Sequence, residues 1–330
     1  ANSGTVTIST HNSSGGTVDM SSASGNYTLS GQGSIDTLTG GGGNDIISGG
    51  TGADALSGGS GNDTITGGVD NDNMTGGAGN DTFKVDSGTD TITDLSTGDI
   101  LVVSSGAIAN ATNISAFVAT GSSSNSGTAN LTAANSGGTI DVGNSTTGAY
   151  NLTGLAGADT LKGNGNGDTI NGGSGNDNID GRGGNDQINA GDGDDTIIVS
   201  SAGQGNGDTV DGGNGTDTLQ LSAGSHSFSN DASIQNVQTI TLNASGTTVD
   251  LTGQTEGLSI TGAAGNDIIT TGSGNDIISG AGGADTITGA GGADTISLGS
   301  SDSASDIIIF NSTSGMDIVK QFTAGSSNGD

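Results

Sequence analysis

The clearest pattern of apolar and polar residues lies between Gly40 and Lys84, where one apolar position recurs every nine residues. Each unit reads Gly-Gly-x-Gly-x-Asp-x-apolar-x, and five copies follow one another, with Asp70 as the one departure at the fourth position. The apolar eighth positions are Ile47, Leu56, Ile65, Met74 and Phe83. Polar neighbours on both sides predict a strand of about three residues with the apolar side chain turned inward. The glycine-rich hexapeptide before it predicts a turn, so the tandem period predicts a solenoid.

The nine-residue spacing extends beyond these five copies. It places Met20, Leu29 and Leu38 before them and Ile92 and Leu101 after them in one apolar column. The same spacing recurs in two later stretches, where the apolar positions are Leu152, Leu161, Ile170, Ile179, Ile188, Ile197, Val210 and Leu219, and then Leu242, Leu251, Ile260, Ile269, Ile278, Ile287 and Ile296. Three similar tripeptides correspond at the starts of the three units: Val18-Asp19-Met20, Ile140-Asp141-Val142 and Val249-Asp250-Leu251.

These repetitions predict three tandem solenoid units, residues 1–103, 104–221 and 222–330. The second and third begin with spacers rich in Ser, Ala and Asn, Ser104–Gly138 and Ser222–Gln238. Within the first spacer, Ala107–Ala119 is expected to form a short helix or a lateral loop, and propensity leaves both open. No proline-rich linker separates the units, so we expect one elongated body.

Aspartate occupies the sixth position of nearly every repeat. We predict that these aspartates bind metal ions, and they are Asp36, Asp45, Asp54, Asp63, Asp72, Asp81, Asp90, Asp99, Asp159, Asp168, Asp177, Asp186, Asp195, Asp208, Asp217, Asp267, Asp276, Asp285, Asp294 and Asp306, with Asp317 as a looser continuation. Stacked strands would bring equivalent aspartates to about 4.8 Å, where two carboxylates repel by about 3 kcal/mol at an effective dielectric of about 20. A cation removes that repulsion, and an all-oxygen site suits Ca²⁺. We therefore expect multiple calcium ions as cofactors.

The first coils of two stretches lack the aspartate. Counting in nines places Val18 and Tyr27 at the sixth position in the first stretch. It places Ile240, Val249 and Leu258 there in the third. We interpret these coils as calcium-free. Asparagines that precede the aspartates, such as Asn44 and Asn62, are expected to form turns rather than bind ions.

The repeats resemble those of the RTX (repeats-in-toxin) family of secreted calcium-binding proteins. The resemblance implies an all-β fold, a right-handed parallel β-roll in which two nonapeptides make one coil. It implies that each ion lies between one turn and the next but one, held by sixth-position aspartates and nearby glycine carbonyls. Asp45 would then pair with Asp63, Asp54 with Asp72, and Asp63 with Asp81. It also implies export by type I secretion through a carboxy-terminal signal.

Charge and composition exclude some classes of binding partner. The 330 residues include 67 Gly, no Cys, no Pro and no Trp, and the net charge is −31. With no basic patch, a nucleic-acid partner is excluded. No apolar run approaches the roughly 18 residues of a membrane helix. Such an acidic, glycine-rich chain is expected to stay unfolded without calcium. It opens at Ala1 without a signal-peptide pattern, so we expect a processed product or a fragment.

An enzymatic role is not expected. His11 and His226 are the only histidines, neither belongs to a recognisable metal or catalytic motif, and both are expected to lie in solvated loops. A carboxylate pair for glycoside hydrolysis stays open among so many aspartates, but few aromatic residues are present to bind a sugar.

The spacer region Asp211–Gly246 resembles those of bacterial RTX surface-layer proteins. The resemblance implies a secreted, calcium-dependent structural protein that self-associates into a lattice or filament on the bacterial surface, with cell-surface polysaccharide as a further partner. A segment of a large RTX adhesin is one alternative, and the calcium-folding part of a secreted enzyme or toxin is another. The fold alone does not decide among them.

Overall fold

The computed structural model describes residues 6–11, 14–200, 207–228, 230–299, 304–311 and 315–320. The chain divides into two compact units, Ala1–Thr169 and Ile170–Asp330. In the described ranges both units consist of short β-strands, with one 3₁₀ turn at Asp231–Ser233. Among the same residues, no helix has the length and apolar character that crossing a membrane requires. The predicted all-β class is confirmed.

Within its described residues, the first unit contains eighteen complete strands. Their bounds are β1 Val6–Ser9, β2 Thr17–Asp19, β3 Tyr27–Ser30, β4 Thr37–Gly42, β5 Ile46–Thr51, β6 Ala55–Ser60, β7 Thr64–Val69, β8 Asn73–Ala78, β9 Thr82–Val85, β10 Thr89–Ile92, β11 Ile100–Val103, β12 Ile108–Ile114, β13 Ala116–Val118, β14 Ser124–Asn125, β15 Thr128–Ala133, β16 Thr139–Asp141, β17 Tyr150–Thr153 and β18 Thr160–Lys162.

Strand β19 begins on the last residue of the first unit and runs into the second, Thr169–Ser174. The remaining strands are β20 Asn178–Asp180, β21 Gln187–Asp192, β22 Thr196–Val199, β23 Thr209–Asn214, β24 Thr218–Leu221, β25 Ser225–Ser227, β26 Ile234–Gln235, β27 Thr239–Leu242, β28 Thr248–Asp250, β29 Ser259–Thr261, β30 Ile268–Thr270, β31 Ile277–Ser279, β32 Thr286–Thr288, β33 Thr295–Ser297, β34 Ile307–Ile309 and β35 Ile318–Lys320.

Strands pair in parallel with the strand after next. In the nonapeptide stretch, β5 pairs with β7 and β6 pairs with β8, which sets Ile47 beside Ile65 and Leu56 beside Met74. Each partner lies eighteen residues away, so two nonapeptides complete one coil. Successive nonapeptides therefore contribute to opposite sheets of the solenoid. This confirms a parallel β-solenoid, and it places equivalent residues of every second repeat in register.

The core is the predicted column of eighth-position residues. Ile47, Ile65, Met74 and Phe83 are fully buried, and Leu56 is 2% exposed. The same holds further along, for example at Leu161 and Ile269. Because a three-residue strand turns only its central side chain inward, one apolar residue per repeat fills the interior.

The register of some coils that were predicted to be calcium-free differs from the sequence prediction. Val18 pairs with Leu38 and therefore lies at the core position, not at the sixth position, and Met20 does not belong to the column. Likewise Ile240 pairs with Ile260 and Val249 with Ile269. These coils contain twenty residues rather than eighteen. The prediction placed Val18, Ile240 and Val249 at the aspartate position, two residues before the core position that they occupy. For the same reason it placed Leu242 and Leu251 in the core column, where Ile240 and Val249 belong.

The first spacer is neither a helix nor a loop. Residues 108–114 and 116–118 form β12 and β13. Strand β12 pairs with β10 on one side and β15 on the other, so its stacking on neighbouring coils decides its structure. Both expectations for Ala107–Ala119 were wrong. The division into three units stays a prediction.

His226 is not a solvated loop residue. It lies on β25 in register with Val249, is 1% exposed, and its Nε2 is 2.9 Å from the Ser222 carbonyl oxygen. His226 is buried despite being polar, because its position in the strand turns the side chain into the core. His11 is exposed, as expected.

Candidate cation sites along the aspartate columns

Sixth-position aspartates stack in columns held by hydrogen bonds to the backbone. The backbone N–H of Asp45 donates to Oδ1 of Asp63 at 2.7 Å, and that of Asp63 donates to Oδ1 of Asp81 at 2.8 Å. A second column in the same unit links Asp54 to Asp72 at 2.8 Å. The second unit repeats the arrangement in the pairs Asp177–Asp195, Asp186–Asp208, Asp195–Asp217, Asp267–Asp285, Asp276–Asp294, Asp285–Asp306 and Asp294–Asp317. The structure thus brings together the predicted pairs Asp45–Asp63, Asp54–Asp72 and Asp63–Asp81, and it continues the columns in the second unit at separations of 18 to 23 residues.

The second oxygen of many of these carboxylates is buried without a hydrogen-bond partner. This applies to Oδ2 of Asp36, Asp45, Asp54, Asp63, Asp72, Asp90, Asp195, Asp217 and Asp294. These side chains are at most 2% exposed. Burying a carboxylate oxygen unpaired is costly, and native proteins leave few such groups. A repeated set of them therefore points to a cation.

The unpartnered oxygens converge with backbone carbonyls on a glycine face. A Cβ placed on Gly40, the first residue of its nonapeptide, would collide with both Asp45 Oδ2 and the Gly58 carbonyl oxygen. The same pair of oxygens recurs one coil on, where a Cβ on Gly58 would meet Asp63 Oδ2 and the Gly76 carbonyl oxygen. We call this space beside each first-position glycine the cradle. It joins a side-chain oxygen of one coil to a main-chain oxygen of the next.

One cradle holds two carboxylates. A Cβ on Gly67 would lie 2.6 Å from Asp72 Oδ2 and 2.7 Å from Asp90 Oδ2. Asp90 thus turns its free oxygen toward the preceding coil. Its burial and the nearby Asp72 carboxylate raise the pKa of Asp90 to about 7.

Burial also raises the pKa of other column aspartates. It raises the pKa of Asp54, Asp81 and Asp168 to about 6. At Asp54 and Asp81, backbone hydrogen bonds oppose the shift, and neighbouring carboxylates add to it. These oxygens therefore attract a positive charge, either a proton or a metal ion.

Some predicted ligands use both oxygens in protein hydrogen bonds. Asp99 Oδ2 accepts from the Ser96 N–H at 2.7 Å and from the Ser96 hydroxyl at 3.0 Å. Asp168 Oδ2 accepts from the Asn164 N–H at 2.7 Å, and Asp267 Oδ2 accepts from the Ala263 N–H at 2.9 Å. These aspartates keep the column position but offer a weaker case for an ion. Asp159 is buried at the same place, with Oδ1 accepting from the Gly138 N–H at 2.6 Å.

Other residues take the aspartate position where columns begin. Tyr27 and Leu258 do so as predicted, because their N–H groups donate to Asp45 Oδ1 and Asp276 Oδ1. Gly16 and Thr247 take the places that nine-residue counting gave to Val18 and Val249. Gln238 takes the place given to Ile240, and there its side-chain oxygen accepts from the Asp217 N–H. Counting back twenty residues from Asp36, Asp267 and Leu258 would have identified Gly16, Thr247 and Gln238.

The asparagines before the aspartates form a separate ladder. Asn44 Oδ1 accepts from the Asn62 N–H at 2.9 Å, and Asn62 Oδ1 accepts from the Asn80 N–H at 3.0 Å. Their side-chain oxygens are used within the turns, as expected of turn-forming residues.

Taken together, the donors suit a hard cation. Within the ranges that the structure describes, no three His, Cys, Asp or Glu side chains form one group. The cradles beside Gly40, Gly49, Gly58 and Gly172 each offer a carboxylate oxygen and a carbonyl oxygen, and the cradle beside Gly67 offers two carboxylate oxygens. Calcium accepts such mixed sets in flexible geometry, whereas Mg²⁺ demands a regular octahedron.

Comparison with known families matches the chain to the RTX calcium-binding nonapeptide repeat. The matches cover residues 24–56, 57–92, 148–178, 163–197, 202–225 and 260–299, which together make up more than half of the chain. No curated protein matches the chain.

Proposed function

The chain belongs to the RTX family of calcium-binding nonapeptide-repeat proteins, and from this premise we propose that it is a secreted structural protein that folds on calcium and assembles into a surface layer or extracellular filament. The observation that carries the calcium step is the column of buried, unpartnered aspartate oxygens. RTX repeats are typical of secreted bacterial proteins, so the proposed place of action is the cell surface.

Calcium binding and folding are one event in this proposal. The two oxygens of a cradle come from successive coils, for example Asp45 Oδ2 and the Gly58 carbonyl, thirteen positions apart, so no site exists before the coils stack. Binding free energy then becomes folding free energy. Extracellular calcium suits modules with dissociation constants of about 10⁻⁴–10⁻³ M, whereas scarce cytosolic calcium would leave the chain unfolded and ready for export.

Assembly is proposed from the surface that the fold presents. Outward positions of the sheets carry rows of small polar side chains in regular register, such as Thr39, Ser57 and Thr75 on neighbouring strands. Flat, repeating surfaces of this kind favour contacts between copies. We also propose that the chain is not an enzyme, and the burial of His226 within the core supports this.

Electron microscopy in millimolar calcium and in chelator tests this proposal. Sheets or filaments that form with calcium and dissolve on chelation are expected. As a matched control, Asp19→Ala should assemble like the parent, because the exposed Asp19 side chain accepts from the Ser21 N–H of its own turn and belongs to no aspartate column. Isolated particles at every calcium and protein concentration would rule out the assembly step.

A segment of an adhesin is a second candidate, and one surface feature favours it. A recess of about 450 Å³ in the second unit is lined by Asp231, Ile234, Gln235, Asn236, Val237, Gln238, Glu256 and Gly257. Its amides and carboxylates could hydrogen-bond a polyhydroxylated ligand such as a sugar. Binding of the calcium-loaded chain on a glycan array, lost in Gln235→Ala, would favour this candidate over the first.

A further inference from the structure

The first-position glycine of a nonapeptide is required for space, not for backbone angle. Gly59 and Gly61, at the second and fourth positions, have φ of 113° and 120°, which L-residues rarely adopt. Gly58, at the first position of the same repeat, lies outside that region. A side chain at this position would therefore meet no backbone strain. It would meet the two oxygens of the cradle.

Thr271 provides a side chain at this position. It precedes Asp276 by five residues, as Gly58 precedes Asp63, and it is fully buried. Its hydroxyl donates to the Gly289 carbonyl oxygen at 2.9 Å. Gly289 lies eighteen residues on, so its carbonyl corresponds to the Gly76 carbonyl in the Gly58 cradle. The threonine thus fills its cradle and gives the carbonyl a proton donor.

Among the described residues, three further repeats also carry a side chain there. Ala190 precedes Asp195 and Val85 precedes Asp90, and both are fully buried; the half-buried Asp94 precedes Asp99. Asp90 turns its Oδ2 to the Gly67 cradle of the preceding coil. The fold therefore accommodates a side chain at the first position, at the expense of the cradle beside it.

We propose that the first residue of each nonapeptide decides whether the aspartate five residues later can bind a cation, and that Thr271 excludes the ion from its coil. The Thr271 hydroxyl takes the place of the ion against the Gly289 carbonyl. Ala190 excludes an ion by the volume of its methyl group alone, which leaves Asp195 Oδ2 buried without a cation. This inference rests on the proposed calcium binding and specifies which repeats take part in it.

Counting bound ions by native mass spectrometry at saturating calcium tests the inference. Thr271→Gly opens a cradle and should bind one ion more than the parent chain. Gly58→Thr closes a cradle and should bind at least one ion fewer. Thr271→Ala removes the hydroxyl but keeps the Cβ, so its count should equal that of the parent.

The outcomes separate the two proposals. A parent chain that takes up no calcium would overturn the proposed function and this inference together. A calcium-binding parent with an unchanged count in Thr271→Gly would overturn the inference alone. An extra ion in Thr271→Ala would show that the hydroxyl, not the volume, excludes the ion, against the assignment for Ala190. Because Thr271→Gly is read as a gain, misfolding of Gly58→Thr would not affect the result.

Discussion

A column aspartate such as Asp63 divides its two oxygens between two tasks. Oδ1 accepts the N–H of the preceding coil, and this bond fixes the side chain in the turn. Oδ2 is left facing the cradle. The sequence predicted the aspartates and their eighteen-residue pairing from the near-invariant sixth position. It did not predict which oxygens the protein itself uses, because the bonds of Asp99 and Asp168 depend on local turn geometry at Ser96 and Asn164.

Removing one column aspartate should cost far more than removing a surface aspartate. Asp63 lies between Asp45 and Asp81, so Asp63→Ala should affect the ions on both sides. Each lost ion costs about 1.4 kcal/mol when free calcium is about ten times the dissociation constant, so we expect a loss of about 3 kcal/mol. Asp19→Ala should change stability by less than about 0.5 kcal/mol. Calcium titration and thermal unfolding measure both, and equal midpoints for the two variants would contradict the assignment.

Protons should compete with calcium for the same oxygens. The folded-state pKa values of about 6 to 7 at Asp54, Asp81 and Asp90 lie above the ordinary value of 3.8. A raised pKa means that the folded chain binds more protons than the unfolded chain. Its stabilising contribution is complete below pH 3.8 and is lost as the pH rises through 6 to 7.

Two results follow for the pH experiment. In chelator, circular dichroism should show more β-structure at pH 5 than at pH 8. With calcium present, the midpoint of the calcium titration should move to higher concentration as the pH falls from 8 to 5.5. A midpoint that is independent of pH would show that these carboxylates do not bind the ion.

Strands in this protein are decided by stacking more than by local sequence. Nonapeptide coils could be predicted in register because one apolar residue and one aspartate recur at fixed spacing. The twenty-residue coils could not, because two apolar residues separated by one, such as Val249 and Leu251, both face inward and both are buried. Only pairing with Ile269 shows which of them occupies the column. The Ala- and Asn-rich residues 108–114 form a strand for the same reason, because they pair with strands of the neighbouring coils.

The observed strand pairing makes a prediction at Ile140. This residue is fully buried between Phe117 and Leu161 on the adjoining strands. Ile140→Ala should therefore lower the free energy of unfolding by about 2–5 kcal/mol. The control is Thr139→Ala on the outward side of the same strand, which should cost less than about 1 kcal/mol. Denaturant unfolding in saturating calcium measures both, and equal costs would place Ile140 outside the core.

At the scale of the whole molecule, the net charge of −31 acts together with the aspartate columns. Diffuse repulsion between surface carboxylates is screened by salt over about 8–10 Å. The buried column oxygens are different, because they need an ion within bonding distance. Screening alone should therefore compact the calcium-free chain without folding it.

A comparison of sodium chloride with calcium tests this distinction. In chelator at low salt, small-angle scattering should give a radius of gyration near that of an unfolded chain of this length, about 65 Å. Adding sodium chloride to about 0.5 M should reduce the radius without producing β-structure. Millimolar calcium should produce both compaction and β-structure. Folding in sodium chloride alone would show that general repulsion, not site binding, keeps the chain unfolded.

The pairing of each strand with the strand after next restricts how such a chain can change in length. Inserting or deleting a single nonapeptide would move every later strand to the opposite sheet and every later aspartate to the other column. A change of eighteen residues would leave both assignments intact. The twenty-residue coils, such as that from Val249 to Ile269, fit this rule because they lengthen a turn without adding a strand. Genes for such chains should therefore gain and lose nonapeptides in pairs.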